Sequence, residues 1–77
     1  MTKSIIGFND AARRGKDVAT TYCQLWRSEI TKESTVLANE LVNKKIDKNT
    51  YNFRRERLNK STKDLNDCIA SLNKLAK

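Results

Sequence analysis

The chain has no proline, no histidine and only two glycines, Gly7 and Gly15. Each shortage removes a class of structure or chemistry. Sheet proteins need many tight turns, and tight turns draw on Gly, Pro and Asn-Gly pairs, so composition argues against strands and makes helix the default. Two glycines this far apart make no phosphate-cradling loop. Without histidine, general acid–base catalysis loses its commonest group, and neither Cys23 nor Cys68 has an imidazole to activate it. The acidic residues stand singly among lysines and arginines, with no paired-carboxylate pattern. Two distant cysteines cannot close a tetrahedral metal site. The expectation is a protein that is not an enzyme, with no cofactor, no metal and no small-molecule substrate.

Apolar residues are also scarce, at 38% of 77 residues, against about 45–50% in ordinary globular chains. One domain this small has a marginal core and usually leans on disulfides, a metal or a second subunit. Two buried thiols in a reducing compartment is the favoured reading of Cys23 and Cys68, because free cysteine packs as a small hydrophobe; a disulfide across a helical hairpin is geometrically open. Self-association is therefore the expected support, and a homodimer the expected form. The only apolar patch near the N-terminus, Ile5, Ile6 and Phe8, is interrupted by Gly7 and too short for a signal-peptide core. Nothing later approaches a membrane-spanning run. A cytoplasmic protein with no membrane partner is expected.

What the chain does have is helical periodicity. Asn9 and Asp10 read as N-caps for a short turn through Arg14, with Gly15 as its stop. Asp17 reads as the cap of a helical region over 17–44, whose stripe is Val18, Tyr22, Leu25, Trp26 and Ile30. Tyr22 and Trp26 are expected in the core. The run Thr31-Lys32-Glu33-Ser34-Thr35 has no apolar side chain, so one helix or two remain open, with Val36, Leu37, Leu41 and Val42 on either. Residues 43–49 read as a polar turn around Ile46. A long C-terminal helix then covers about 48–76, where Tyr51, Leu58, Leu65 and Leu72 recur every seven residues. If these are d positions of a heptad, the a positions are Arg55, Thr62, Ile69 and Ala76. The leucine stripe is expected to pack against the Val18–Ile30 face. Residues 1–77 thus read as a single all-α domain, a helical hairpin or small three-helix bundle with a short N-terminal segment over 1–16.

Charge is the remaining signal. The chain carries sixteen basic and nine acidic residues, a net charge of +7. Nearly all the excess lies in Lys44, Lys45, Lys48, Arg54, Arg55, Arg57, Lys60 and Lys63, against only Asp47 and Glu56. Such a field attracts polyanions, and each phosphate contact releases a counterion. Arg54, Arg57 and Lys60 are candidates for positioning a phosphate backbone, together with Lys44, Lys45, Lys48 and Lys63. Asn49, Thr50 and Asn52 supply groups of the kind that read base edges. Phe53 sits roughly opposite the leucine stripe, where it can stack on a base or anchor in a partner's pocket.

Ile46, Thr50 and Tyr51, after a helix ending near Lys44, resemble the turn and recognition helix of helix-turn-helix proteins over about residues 37–57. The stretch departs from that pattern at Leu41 (usually small), Lys45 (usually the turn glycine) and Arg54 (usually an apolar anchor). It is also similar to the short helical-hairpin module found at protein C-termini, again without the turn glycine. The leading expectation is a nucleic-acid-binding regulatory or accessory protein, DNA or RNA. The alternative is a small adaptor or inhibitor, of the kind made by phages and plasmids, that docks on a larger acidic protein.

Overall fold

The computed structural model describes residues 3–75, without the side chain of Leu75. Three helices account for it: α1 (Ile5–Arg14), α2 (Lys16–Val42) and α3 (Lys48–Leu75), with no strand among the described residues. At 1.5 Å per residue, helices of 27 and 28 residues are each roughly 40 Å long. The molecule measures 47 × 17 × 15 Å, so α2 and α3 must lie side by side, antiparallel, as a hairpin. The short α1 packs along the end of that hairpin remote from its turn. The crossed helices of a helix-turn-helix are therefore not present: residues 37–57 form the tip of the hairpin.

The first helix begins earlier than its polar residues suggest. Ser4 has extended backbone (φ −155°, ψ 173°) and its side chain accepts a hydrogen bond from the Gly7 amide, so Ser4 is the N-cap and Asn9 and Asp10 lie inside the helix. Phe8 and Ala11 turn inward and are buried. Gly15 does stop the helix, as expected, at φ 142° and ψ 158°, a region essentially confined to glycine. The next helix starts at once with Lys16. Asp17 is in its first turn, where a carboxylate complements the helix dipole, but no side chain caps it.

Helix α2 runs without interruption through Thr31–Thr35. The threonines bend their hydroxyls back onto the helix, Thr31 donating to the Arg27 carbonyl at 3.0 Å and Thr35 to the Thr31 carbonyl at 3.1 Å. The polar run satisfies itself locally and needs no break. The buried face of α2 is Ala19, Cys23, Trp26 and Leu37, with Ile30 half-buried. Val18 and Leu25, expected in the core, are 43% and 53% exposed. They fall on the adjacent face, and the small side chains of Ala19 and Cys23 occupy the tight side of the interface instead.

On α3, Leu58, Leu65 and Leu72 are buried as expected and Tyr51 is half-buried. The second seam position differs from the expected one. Cys68 is buried and Ser61 is half-buried, whereas Thr62 is exposed; Arg54 and Arg55 are both exposed and both reach α2, Arg54 by an ion pair. The leucines thus behave as a positions with Arg54, Ser61 and Cys68 as d; Ile69 is half-buried beside the seam, and Ala76 lies outside the described residues. Around Trp26, only 1% exposed, gather Phe8, Ala19, Cys23, Leu65, Cys68 and Leu72, one continuous core at the α1 end.

Tyr22 fastens α1 to this core. Its hydroxyl accepts from the Ser4 amide at 2.9 Å and donates to the Ser4 carbonyl at 3.3 Å, and its ring meets Trp26 edge-on at 6.0 Å. A Cβ at Gly7 would overlap that hydroxyl, so the second glycine is explained by close approach. Lys3 completes the fastening, 2.6 Å from the Glu29 carboxylate.

Candidate functional site

The basic segment occupies the hairpin tip and the outer face of α3. The turn is built without glycine. The Lys45 amide bonds to the Glu40 carbonyl at 2.8 Å and the Lys44 amide to the Leu41 carbonyl at 3.1 Å. These two bonds form a Schellman closure of α2. Its left-handed position falls on Lys44, at φ 59°. Helix α3 opens with Asp47, whose carboxylate accepts from the Thr50 amide at 2.7 Å. That bond, followed by the Thr50 hydroxyl, holds the Asp47 carboxyl below its ordinary pKa. Two helix ends are thus closed within five residues, 43–47, and Lys44, Lys45 and Lys48 are all exposed there.

The arginines divide into two groups. Arg54 donates to Glu40 across the hairpin at 3.3 Å, and Arg55 donates to the Ser34 hydroxyl at 3.1 Å. Both tie α3 to α2 and are structural cations in part. Arg57, Lys60 and Lys63 are exposed on α3 and enter no ion pair among the described residues. Phe53 is 63% exposed, as its position predicted, and at helical spacing stands one turn from Arg57 and two from Lys60. Asn49 and Asn52 are exposed, whereas Thr50 is half-buried and its amide is committed to Asp47.

A cleft of about 520 Å³ runs between α3 and α2, with Arg54, Arg57 and Lys60 on one wall and Lys3 closing one side. Glu33 and Asp64 also line it, so its four cations face two carboxylates. Lys3 and Glu33 carried no sequence signal for this role. They are brought to the cleft by the docking of α1 and the antiparallel pairing of the long helices, which no local pattern encodes. Among the described residues no group of three or more metal-ligating side chains occurs, and no helix is long and apolar enough to cross a membrane.

No protein family matches the chain, and neither a curated protein nor a solved structure is significantly similar to it.

Proposed function

We propose that this protein binds nucleic acid through its phosphates, with Lys44, Lys45, Lys48, Arg57, Lys60 and Lys63 as the interacting cations. The observation that supports this reading is their exposure over one end and one side of a narrow rod, with no ion pair to any of the six among the described residues. A structural cation is normally met by a carboxylate, as Arg54 is by Glu40. Six that form no ion pair among the described residues, spread along a rod, match a backbone carrying one charge per about 1.7 Å of duplex. Arg54 is placed in a bridging role, and Asn49 and Asn52, free of internal side-chain bonds among the described residues, are the side chains left to approach bases.

Phe53 favours unpaired strands, since an exposed ring flanked by cations is a stacking platform for bases. The same ring is what an acidic protein partner would take into a pocket, and that is the second reading. Self-association belongs to this proposal too. Val18, Leu25 and Val36 lie along one outer face of α2 and are each about half exposed, which suits burial against a second copy and leaves the basic face of α3 free.

Fluorescence anisotropy of labelled duplex DNA and single-stranded RNA, titrated at about 50 and 200 mM salt, tests the main reading. Binding that weakens roughly tenfold or more between the two salts is expected where several phosphates are neutralised. Replacing Arg57, Lys60 and Lys63 with Gln should lower the slope of log affinity against log salt by roughly 0.9 for each duplex phosphate no longer neutralised. No binding at the lower salt by the folded protein would remove the nucleic-acid reading in favour of the acidic partner.

A further inference from the structure

Away from the basic face, one juxtaposition of reactive groups is left without a role: the two thiols. Cys23 on α2 and Cys68 on α3 are both buried and belong to the same core. The antiparallel pairing brings them near enough for Cys23 to act on the Cys68 thiol, and Ala19, Trp26, Leu65 and Leu72 belong to the same core. They differ in access. Cys23 forms part of a groove of about 380 Å³ between α2 and α3, with Ile69 and Leu72 beside it; Cys68 is not among the residues lining it. No residue of α1 lines this groove either. At its rim stand Lys16 and Arg27, exposed and in no ion pair among the described residues, and no acidic residue lines it.

We propose that Cys23 is a thiol–disulfide exchange site for small anionic disulfides of the glutathione class, with Cys68 as the resolving thiol. The apolar floor receives the sulfur end of the reagent and the two cations receive its carboxylates. In the first step the Cys23 thiolate attacks one sulfur of the disulfide; that S–S bond breaks, and one small thiolate leaves. In the second, the Cys68 thiolate attacks the Sγ of Cys23, the mixed disulfide breaks, and the other small thiolate leaves. Cys23 and Cys68 together lose two protons and two electrons, and one small disulfide becomes two thiols. The order of attack follows from access, since Cys23 lines the groove and Cys68 does not. Burial pushes the Cys23 pKa up, and Arg27, one turn away, partly offsets it by favouring the thiolate. Burial pushes the Cys68 thiol up to about 11, with smaller contributions from Cys23, Asp64 and Asp67. The two aspartates would repel an anionic reagent as well.

The experiment compares oxidised glutathione with the uncharged hydroxyethyl disulfide on the full chain, folded and in urea, followed by mass spectrometry of quenched samples. In the folded protein the anionic reagent should react severalfold faster relative to the neutral one than it does with the unfolded chain. The first adduct should map to Cys23, and the end product should be the intramolecular disulfide. Arg27→Gln should cut the anionic preference, and C68A, shown by circular dichroism to be helical, should stop at the mixed disulfide on Cys23. Equal preference in folded and unfolded chains, a first adduct on Cys68, or unreacted thiols in the folded protein would each overturn the proposal. Because Arg27→Gln alone probes the groove, the inference stays testable should C68A fail to fold.

Discussion

At the scale of single residues the hairpin holds strain where a glycine would ordinarily sit. Lys44 takes a left-handed backbone (φ 59°) to close α2. A side chain there costs on the order of 1 kcal/mol relative to glycine. Lys44→Gly should therefore raise the urea midpoint by a similar free energy while removing one cation from the tip, so stability and polyanion affinity should move in opposite directions. Gly7 is the converse case. Gly7→Ala pushes a methyl against the Tyr22 hydroxyl and should destabilise the chain. Tyr22→Phe, by deleting that hydroxyl, should recover part of the loss in a double-mutant cycle; purely additive effects would contradict the close approach.

At the scale of elements, the start of α3 depends on protonation. The folded-state pKa of Asp47 is depressed by the Thr50 amide and then the Thr50 hydroxyl. A depressed carboxyl adds stability that is fully present above the unfolded value of about 3.9 and is lost as pH falls through the folded value. Thermal unfolding of the native chain should thus come at lower temperature below about pH 4, and Asp47→Asn should flatten that part of the profile while leaving a capping side chain in place. The long helices also show what a sequence can and cannot say about itself. The leucine recurrence in α3, the stop at Gly15 and the burial of Trp26 are all legible, because each follows from periodicity or one residue's conformational preference. The neighbour of the stripe is not. Composition favours Ile69, and with it Arg55 and Thr62, whereas only the partner helix selects Arg54, Ser61 and Cys68 for the seam. Thr31–Thr35 looks like an interruption because it has no apolar side chain, yet the helix continues, its threonine hydroxyls bonding back to the backbone in a way that no apolar pattern reveals. The surface exposure of the basic residues is readable; the bonds from Arg54 to Glu40 and Arg55 to Ser34 are not, because they depend on how two helices pair across a turn.

At the scale of the whole molecule, the two ends of the hairpin differ in what holds them. Phe8, Trp26, Leu65 and Leu72 meet where three helices converge. Leu65→Ala there should cost about 2–5 kcal/mol, read from the shift in urea midpoint. Near the turn only two helices remain, joined by Leu37, Leu58 and the polar bridges from Arg54 and Arg55. Leu25→Ser, on the exposed outer face of α2, should leave monomer stability nearly unchanged. It should lower the apparent mass in sedimentation equilibrium if a second copy covers that face.

The shortness of α1 has a kinetic consequence. With its ten residues confined to one end, amide hydrogens of α2 and α3 should not exchange with deuterium uniformly. Protection should be greatest around Trp26 and Leu65, where exchange requires global unfolding, and should decline toward Asn43 and Lys48, where the hairpin can open without disturbing the rest. Lys44, Lys45 and Lys48 of the proposed nucleic-acid surface then lie at the end that opens most readily, so a bound polyanion should slow exchange there most of all, tightening the tip like a clasp while the far end keeps the protection it had alone.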